Sequence, residues 1–177
     1  VWALLLSADP TGITLLIIVV FFCSTLWCGM RSRVLQQQRQ ALAREEGWAG
    51  EYLAALRSRP ADGGVPMDLL LEHSHGPHGT AWWVNGIQLK LGLLGKVIGF
   101  SILALQIGQI QNFDPSQSQE LLRNLTTGLG VALLTTMVGL VGNIVLGLQL
   151  TRLDRYADAL VADIQRAGLQ AVAGANG

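Results

Sequence analysis

The stretch LTTGLGVALLTTMVGLVGNIVLGLQL, from Leu125 to Leu150, contains no charged residue. A helix needs about 20 mainly apolar residues to cross the roughly 30 Å hydrocarbon core of a bilayer, and this stretch is long enough. Lipid offers a backbone no hydrogen-bond partners, so such a segment satisfies its peptide groups only as a helix. The stretch therefore predicts a transmembrane helix, and with it an integral membrane protein.

Two further apolar blocks repeat this pattern. The block from Thr11 to Gly29 carries no charge, and the block from Leu91 to Ile110 carries one, Lys96. Charged residues make up 14% of the chain, against about 25% in soluble domains. The blocks do not alternate as β-barrel strands do. The predicted class is an all-α integral membrane protein with three transmembrane helices and long cytoplasmic helical extensions.

The distribution of positive charge predicts the topology. Arginine and lysine collect between the first two blocks and after the third, whereas the loop between the second and third blocks has only Arg123. The positive-inside rule places the N-terminus in the periplasm and the C-terminus in the cytoplasm. The predicted segments are a first transmembrane helix at 1–30, a cytoplasmic helical loop at 31–85, a second transmembrane helix at 86–111, a periplasmic loop at 112–124, a third transmembrane helix at 125–151 and a cytoplasmic helical tail at 152–177.

Helical segments are also expected outside the membrane. Residues 34–56 are rich in good helix formers and are predicted to continue the first span. We predict a short helix at 67–72 and a turn at 73–79, where Gly and Pro are frequent. The tail from Arg152 to Leu169 has apolar residues at helical spacing and should extend the third span. The second and third helices should form an antiparallel hairpin.

Lys96 is the first candidate functional residue. A lysine at the centre of a span costs about 2.5–3.5 kcal/mol on insertion scales, which marks it as a functional candidate. Its ammonium could equally snorkel to the interface. Glycine favours close helix contacts over lipid contact, and it surrounds this lysine at Gly92, Gly95 and Gly99. This places Lys96 near a helix interface or a cavity.

The third block carries a stripe of small and polar residues on one helical face. The stripe consists of Gly128, Ala132, Thr136, Gly139, Asn143 and Gly147. Such a face indicates close helix packing, polar contacts or both. Ordinary hairpin packing explains the glycines equally well. Thr135 and Thr136 point in different directions, so that one can serve packing while the other lines a cavity.

Other residue types offer little chemistry. His73, His75 and His78 are spaced by Gly and Pro as in an exposed loop, and we predict no metal site. Cys23 and Cys28 lie in the first apolar block as small helix residues. The chain has no nucleotide-binding glycine motif. We therefore predict no cofactor, no enzymatic activity and, from the zero net charge, no nucleic-acid partner. A membrane enzyme would need clustered carboxylates or ligands, which the sequence lacks outside the histidines.

Two stretches resemble the MotA/TolQ/ExbB proton-channel family. They are LGLLGKVIGF, from Leu91 to Phe100, and LTTGLGVALLTTMVGLVGNI, from Leu125 to Ile144, separated by a polar loop with Asp114 and Pro115. The pattern AL-x-TT-x-x-GL in the second stretch is the more specific. The resemblance covers residues 85–160, and the three-span layout is similar to TolQ and ExbB members rather than to four-span MotA.

The resemblance implies an assembly in the bacterial inner membrane. Such proteins form a ring, typically a homopentamer, around two copies of a single-span partner similar to TolR, ExbD or MotB. The partner carries an aspartate in the membrane, and proton flow through the complex drives movement. By this resemblance Lys96, Thr135 and Thr136 would line the ion pathway. The chain would then be a stator-type subunit of an ion-driven motor complex.

Two departures from the family pattern support a second hypothesis. Lys96 stands where the family usually has threonine, and Val131 stands where TolQ-like and ExbB-like members have glutamate. A cation in the pathway would repel hydronium, or would pair with the partner's aspartate and lower its pKa. The alternative function is a non-conducting membrane scaffold ring that holds the partner helices.

Overall fold

The computed structural model describes residues 12–58, 64–108 and 115–175, and these are almost entirely helical. The described residues form four helices, which are α1 (Ile13–Leu42), α2 (Gly47–Ser58), α3 (Gly64–Gly108) and α4 (Pro115–Ala175), with no strand among them. α1, α3 and α4 are each long and apolar enough to cross a membrane. The predicted all-α membrane class with three candidate spans is therefore confirmed. Residues 1–11 and Asp114 lie outside the described residues.

The helical structure is interrupted between α1 and α2, where the sequence predicts one helix over 34–56. α1 ends at Leu42, and Glu45 and Gly47 have φ angles of 53° and 63°. The amide of Trp48 donates to Oε1 of Gln38 at 3.1 Å, so the side chain of the ending helix caps the next one. A Cβ at Gly47 would overlap the same Gln38 amide, so glycine suits both the angle and the space. The single-helix prediction is wrong because it gave Gly47 no weight.

α3 runs without interruption through residues 73–79, where the sequence predicts a turn. Pro77 has no N–H, which leaves the carbonyl of His73 without its usual helical donor. Nη2 of Arg31, on α1, donates to that carbonyl and to the Ser74 carbonyl, the latter at 3.1 Å. The prediction of a turn is wrong because a distant arginine compensates for the proline.

α4 is the longest helix and carries the third apolar block together with the tail. It begins at Pro115, a residue whose fixed φ suits the first helical position. It continues to Ala175, which confirms that the tail extends the third span. In the tail, Leu153, Leu160 and Ile164 are buried, and Tyr156 packs against them.

The chain forms two compact units. The first, here the apolar unit, contains the described parts of residues 1–24 and 84–147. Its α3 and α4 segments pair in antiparallel order, with Leu103 near Gly128 and Asn85 near Gly147. The predicted hairpin is confirmed. Its outer faces expose large apolar side chains such as Leu133, as expected for lipid-facing helices.

The second, here the polar unit, contains the described parts of residues 25–83 and 148–177. All four helices contribute to its core. The buried core residues are Leu35, Ala49, Leu70, Leu153, Ala157, Leu160, Val161 and Ile164. This core is an ordinary apolar helix bundle, in which each buried leucine or isoleucine contributes roughly 1.5–3 kcal/mol. Cys28 is also buried and Cys23 is exposed, and both are free thiols.

Candidate functional site

Three glycines of α3 face α4 inside the apolar unit and allow a close approach. A Cβ added to Gly95 would lie 2.8 Å from Oγ1 of Thr135, and one added to Gly99 would lie 2.9 Å from the Cβ of Ala132. Gly92 and Gly139 face each other, and a Cβ on Gly139 would lie 2.9 Å from the Cα of Gly92. Real Cβ atoms do not come this close, so the two backbones meet where only glycine fits.

The two threonine hydroxyls have different surroundings. Thr135 is fully buried, and its hydroxyl donates to the Ala132 carbonyl at 3.1 Å. Thr136 is partly buried, with its hydroxyl 2.8 Å from the Ala132 carbonyl and 3.3 Å from the Gly92 carbonyl. Thr135 packs against Gly95, whereas Thr136 retains some exposure. This matches the expectation that the adjacent threonines point in different directions.

Polar contacts continue along the same interface beyond the threonines. Asn143 donates from Nδ2 to the Asn85 carbonyl at 2.8 Å. Gln88 is fully buried, and with its amide oriented to suit its neighbours it donates to the Gly142 carbonyl at 3.3 Å and accepts from the Phe21 amide at 3.0 Å. Sequence reasoning missed Asn85 and Gln88 because they precede the second apolar block. Asn85 and Gln88 are three residues apart, and Gln88 and Gly92 are four apart, so all three lie on one helical face. This spacing is the signal that could have found them.

Lys96 lies at the edge of this interface. Its side chain is partly buried, and Nζ is 6.0 Å from the centre of the Phe100 ring, near the limit for a cation–π contact. Among the residues that the structure describes, none forms a hydrogen bond or ion pair with Lys96. The structure thus brings together Gly92, Gly95, Gly99, Thr135 and Thr136, and leaves Lys96 beside them. The side chain of Val131 lies outside the described residues.

A second polar cluster occupies the polar unit and centres on His78. His78 is 2% exposed, and its Nδ1 lies 2.6 Å from Oδ1 of Asp154. The other oxygen of Asp154 accepts from Nε1 of Trp82 at 2.8 Å. One turn away, Nε2 of His75 lies 3.0 Å from Oδ1 of Asp158. Two His–Asp pairs therefore join α3 to α4.

Burial lowers the pKa of His78 below its ordinary value, and Arg31 and His75 act in the same direction. The hydrogen bond and charge of Asp154 oppose this shift without overcoming it. A carboxylate only accepts, so Nδ1 carries the proton of the neutral ring. Nε2 is buried with no partner in the described part of the chain. A second proton would have to bind at Nε2, which is out of reach of solvent, and this explains why the pKa of His78 is lowered.

The histidines therefore differ from the predicted exposed loop. His78 is buried and His75 is half-buried, and only His73 stays exposed, 2.7 Å from the Leu69 carbonyl of its own helix. The expectation failed because the tract is helical, which places His75 and His78 on the face toward α4. In the described ranges, no group of three or more His, Cys, Asp or Glu side chains is arranged to hold a metal ion.

No family model matches the chain, and neither a curated protein nor a solved structure matches it significantly.

Proposed function

We propose that the chain is the ring-forming, stator-type subunit of an ion-driven motor complex in the bacterial inner membrane. Several copies, five by the family resemblance, surround two single-span helices of a TolR-, ExbD- or MotB-like partner. The polar unit faces the cytoplasm, in accordance with the positive charge of its sequence. Proton flow through the ring is coupled to movement.

The observation that carries this proposal is the isolated charge of Lys96. It lies in an apolar segment, and the described chain gives it no counter-charge. A charged side chain at this depth is costly unless it meets water or an opposite charge. The aspartate of a single-span partner is a counter-charge of the right kind, and it would be supplied only in the assembled complex.

The packing of the hairpin supports the same arrangement. One face of α3 is occupied by α4 through Gly92, Gly95 and Gly99, which fixes the two helices as one rigid pair. Lys96 and Thr136 both border this contact and are both partly exposed. A partner helix at this border would meet a cation and a hydroxyl side by side. Each proton crossing such a ring yields about 2.3 kcal/mol per 100 mV of membrane potential.

The alternative is a scaffold ring that holds the partner helices and does not conduct. Lys96 favours it, because a fixed cation in a narrow pathway repels hydronium. Val131 favours it too, because it replaces the carboxylate of TolQ-like and ExbB-like members. A neutral lysine, which desolvation can produce, would remove the first objection.

Proton flux separates the two functions. The chain is co-expressed with a TolR-, ExbD- or MotB-like single-span protein, and proton flux into vesicles is followed with a pH-sensitive dye. We expect Lys96→Thr to raise the passive flux, since a repelling charge is lost, and Lys90→Thr, at an exposed position of the same helix, to leave it unchanged. Flux that is absent from wild type and Lys96→Thr alike would establish the scaffold instead. An adjacent gene that encodes one N-terminal span with an aspartate would support the motor subunit and the scaffold ring equally.

A further inference from the structure

A groove of about 440 Å³ lies between α1 and α4 inside the polar unit. Its walls include Thr25, Gly29 and Ser32 of α1 and Gln149, Arg152 and Tyr156 of α4. Each set is spaced so that its members share one helical face. The volume is in the range of ordinary ligand sites.

The groove lies at a surface of the bilayer. The uncharged run of α1 ends at Met30 and that of α4 ends at Thr151, so the groove spans the change from apolar to polar sequence. Leu26 and Leu148, which neighbour the groove residues Thr25 and Gln149, are 67% and 55% exposed. The groove therefore has an apolar approach at one end and a polar wall at the other.

The charge of the groove indicates its ligand. Arg152 is the only charged residue among the described lining residues, and the described chain contains no ion pair to it. Arg152 is exposed in the groove, so it is the group that selects a ligand. A cation beside exposed apolar side chains suits an anion that carries apolar chains.

We propose that this groove binds the headgroup of one anionic phospholipid. The phosphate lies at Arg152, the cation of the groove. The acyl chains lie along Leu26 and Leu148. Basic pockets between membrane helices bind anionic headgroups in this way. The proposal requires a membrane protein but not a motor.

Lipid retention measured by native mass spectrometry tests the proposal. The full chain in detergent is mixed with dioleoyl phosphatidylglycerol or dioleoyl phosphatidylcholine, and the lipid-bound fractions are compared. We expect wild type to retain phosphatidylglycerol in preference, and Arg152→Gln to reduce that preference about fivefold, the contribution of one basic residue at a membrane surface. Arg155→Gln, an exposed control on the same helix, should leave it unchanged.

A steric variant tests the groove without altering its charge. A Cβ added to Gly29 meets nothing within 4 Å, so Gly29→Leu fits the fold and fills the groove. We expect it to remove phosphatidylglycerol retention, whereas Gly79→Leu, at an equally open glycine, should not. Equal retention of the two lipids by wild type would overturn the proposal. So would full displacement of the lipid by millimolar inorganic phosphate, which would indicate a free-anion site, or a change of oligomeric state with Gly29→Leu, which would indicate a second copy in the groove.

Discussion

Nδ1 of His78 lies 2.6 Å from Oδ1 of Asp154, and this contact joins two helices across 76 residues of sequence. Asp154 also accepts from Trp82, so both carboxylate oxygens have donors. An uncharged amide offers one acceptor and would turn its NH₂ group toward the other donor. We expect Asp154→Asn to lower the free energy of unfolding by about 1–3 kcal/mol. Denaturation of the full chain in detergent measures it, with Asp158→Asn, whose side chain is 71% exposed, as a control. An equal loss of unfolding free energy in Asp154→Asn and Asp158→Asn would show that the buried carboxylate contributes no more than the exposed one.

The lowered pKa of His78 makes stability depend on pH. The native state holds this ring neutral, whereas the unfolded chain titrates near 6.5. Above about pH 6.5 neither state binds the proton and the contribution of His78 is constant, whereas below it the unfolded state binds the proton first. Stability is therefore lost as the pH falls from 6.5 toward the native pKa.

Thermal unfolding between pH 8 and pH 5 measures this effect. We expect the melting temperature to fall less steeply with decreasing pH in His78→Gln than in wild type. His73→Gln, at the exposed histidine of the same tract, should keep the wild-type pH dependence. Cys28, Arg31 and His75 are the other groups around the pair. A wild-type slope in His78→Gln would show that His78 is not the source of the pH dependence.

Arg31 and Pro77 should be coupled energetically. Arg31 donates to the carbonyl that Pro77 leaves without a partner, so Arg31→Met should cost about 1–3 kcal/mol. Pro77→Ala restores the helical N–H, and in that background the loss of Arg31 should be smaller by about 1 kcal/mol. A double-mutant cycle of unfolding free energies measures the difference. Strict additivity of the two changes would show that Arg31 does not compensate for the proline.

The glycine contacts of the hairpin give a fourth prediction. Gly95→Ala places a Cβ within 2.8 Å of Oγ1 of Thr135, whereas Gly130→Ala meets nothing within 4 Å. Overpacking costs typically 1–3 kcal/mol, so we expect about that loss in Gly95→Ala and none in Gly130→Ala. Resistance of the folded chain to SDS distinguishes the two variants. Equal resistance of the two variants would show that an added Cβ at Gly95 does not weaken the packing of α3 against α4.

The sequence predicted the spans because their physical signal is local. An uncharged apolar block indicates a helix in lipid whatever surrounds it, and the stripe from Gly128 to Gly147 indicated close packing in the same way. The features that it missed depend on distant partners. The helix through Pro77 requires Arg31, and the burial of His78 requires Asp154, and neither partner is adjacent in sequence. Asn85 and Gln88 were missed because the apolar block was taken as the limit of the interface.

The central claim is that Lys96 finds its counter-charge in an assembled ring. Electron cryomicroscopy of the complex purified with the proposed single-span partner tests it most directly. The account predicts that Lys96 and Thr136 face a central cavity holding helices of the second protein, with Nζ of Lys96 within about 4 Å of a carboxylate of that protein. A map in which both side chains face lipid, around a centre that contains no helix of another protein, would contradict it.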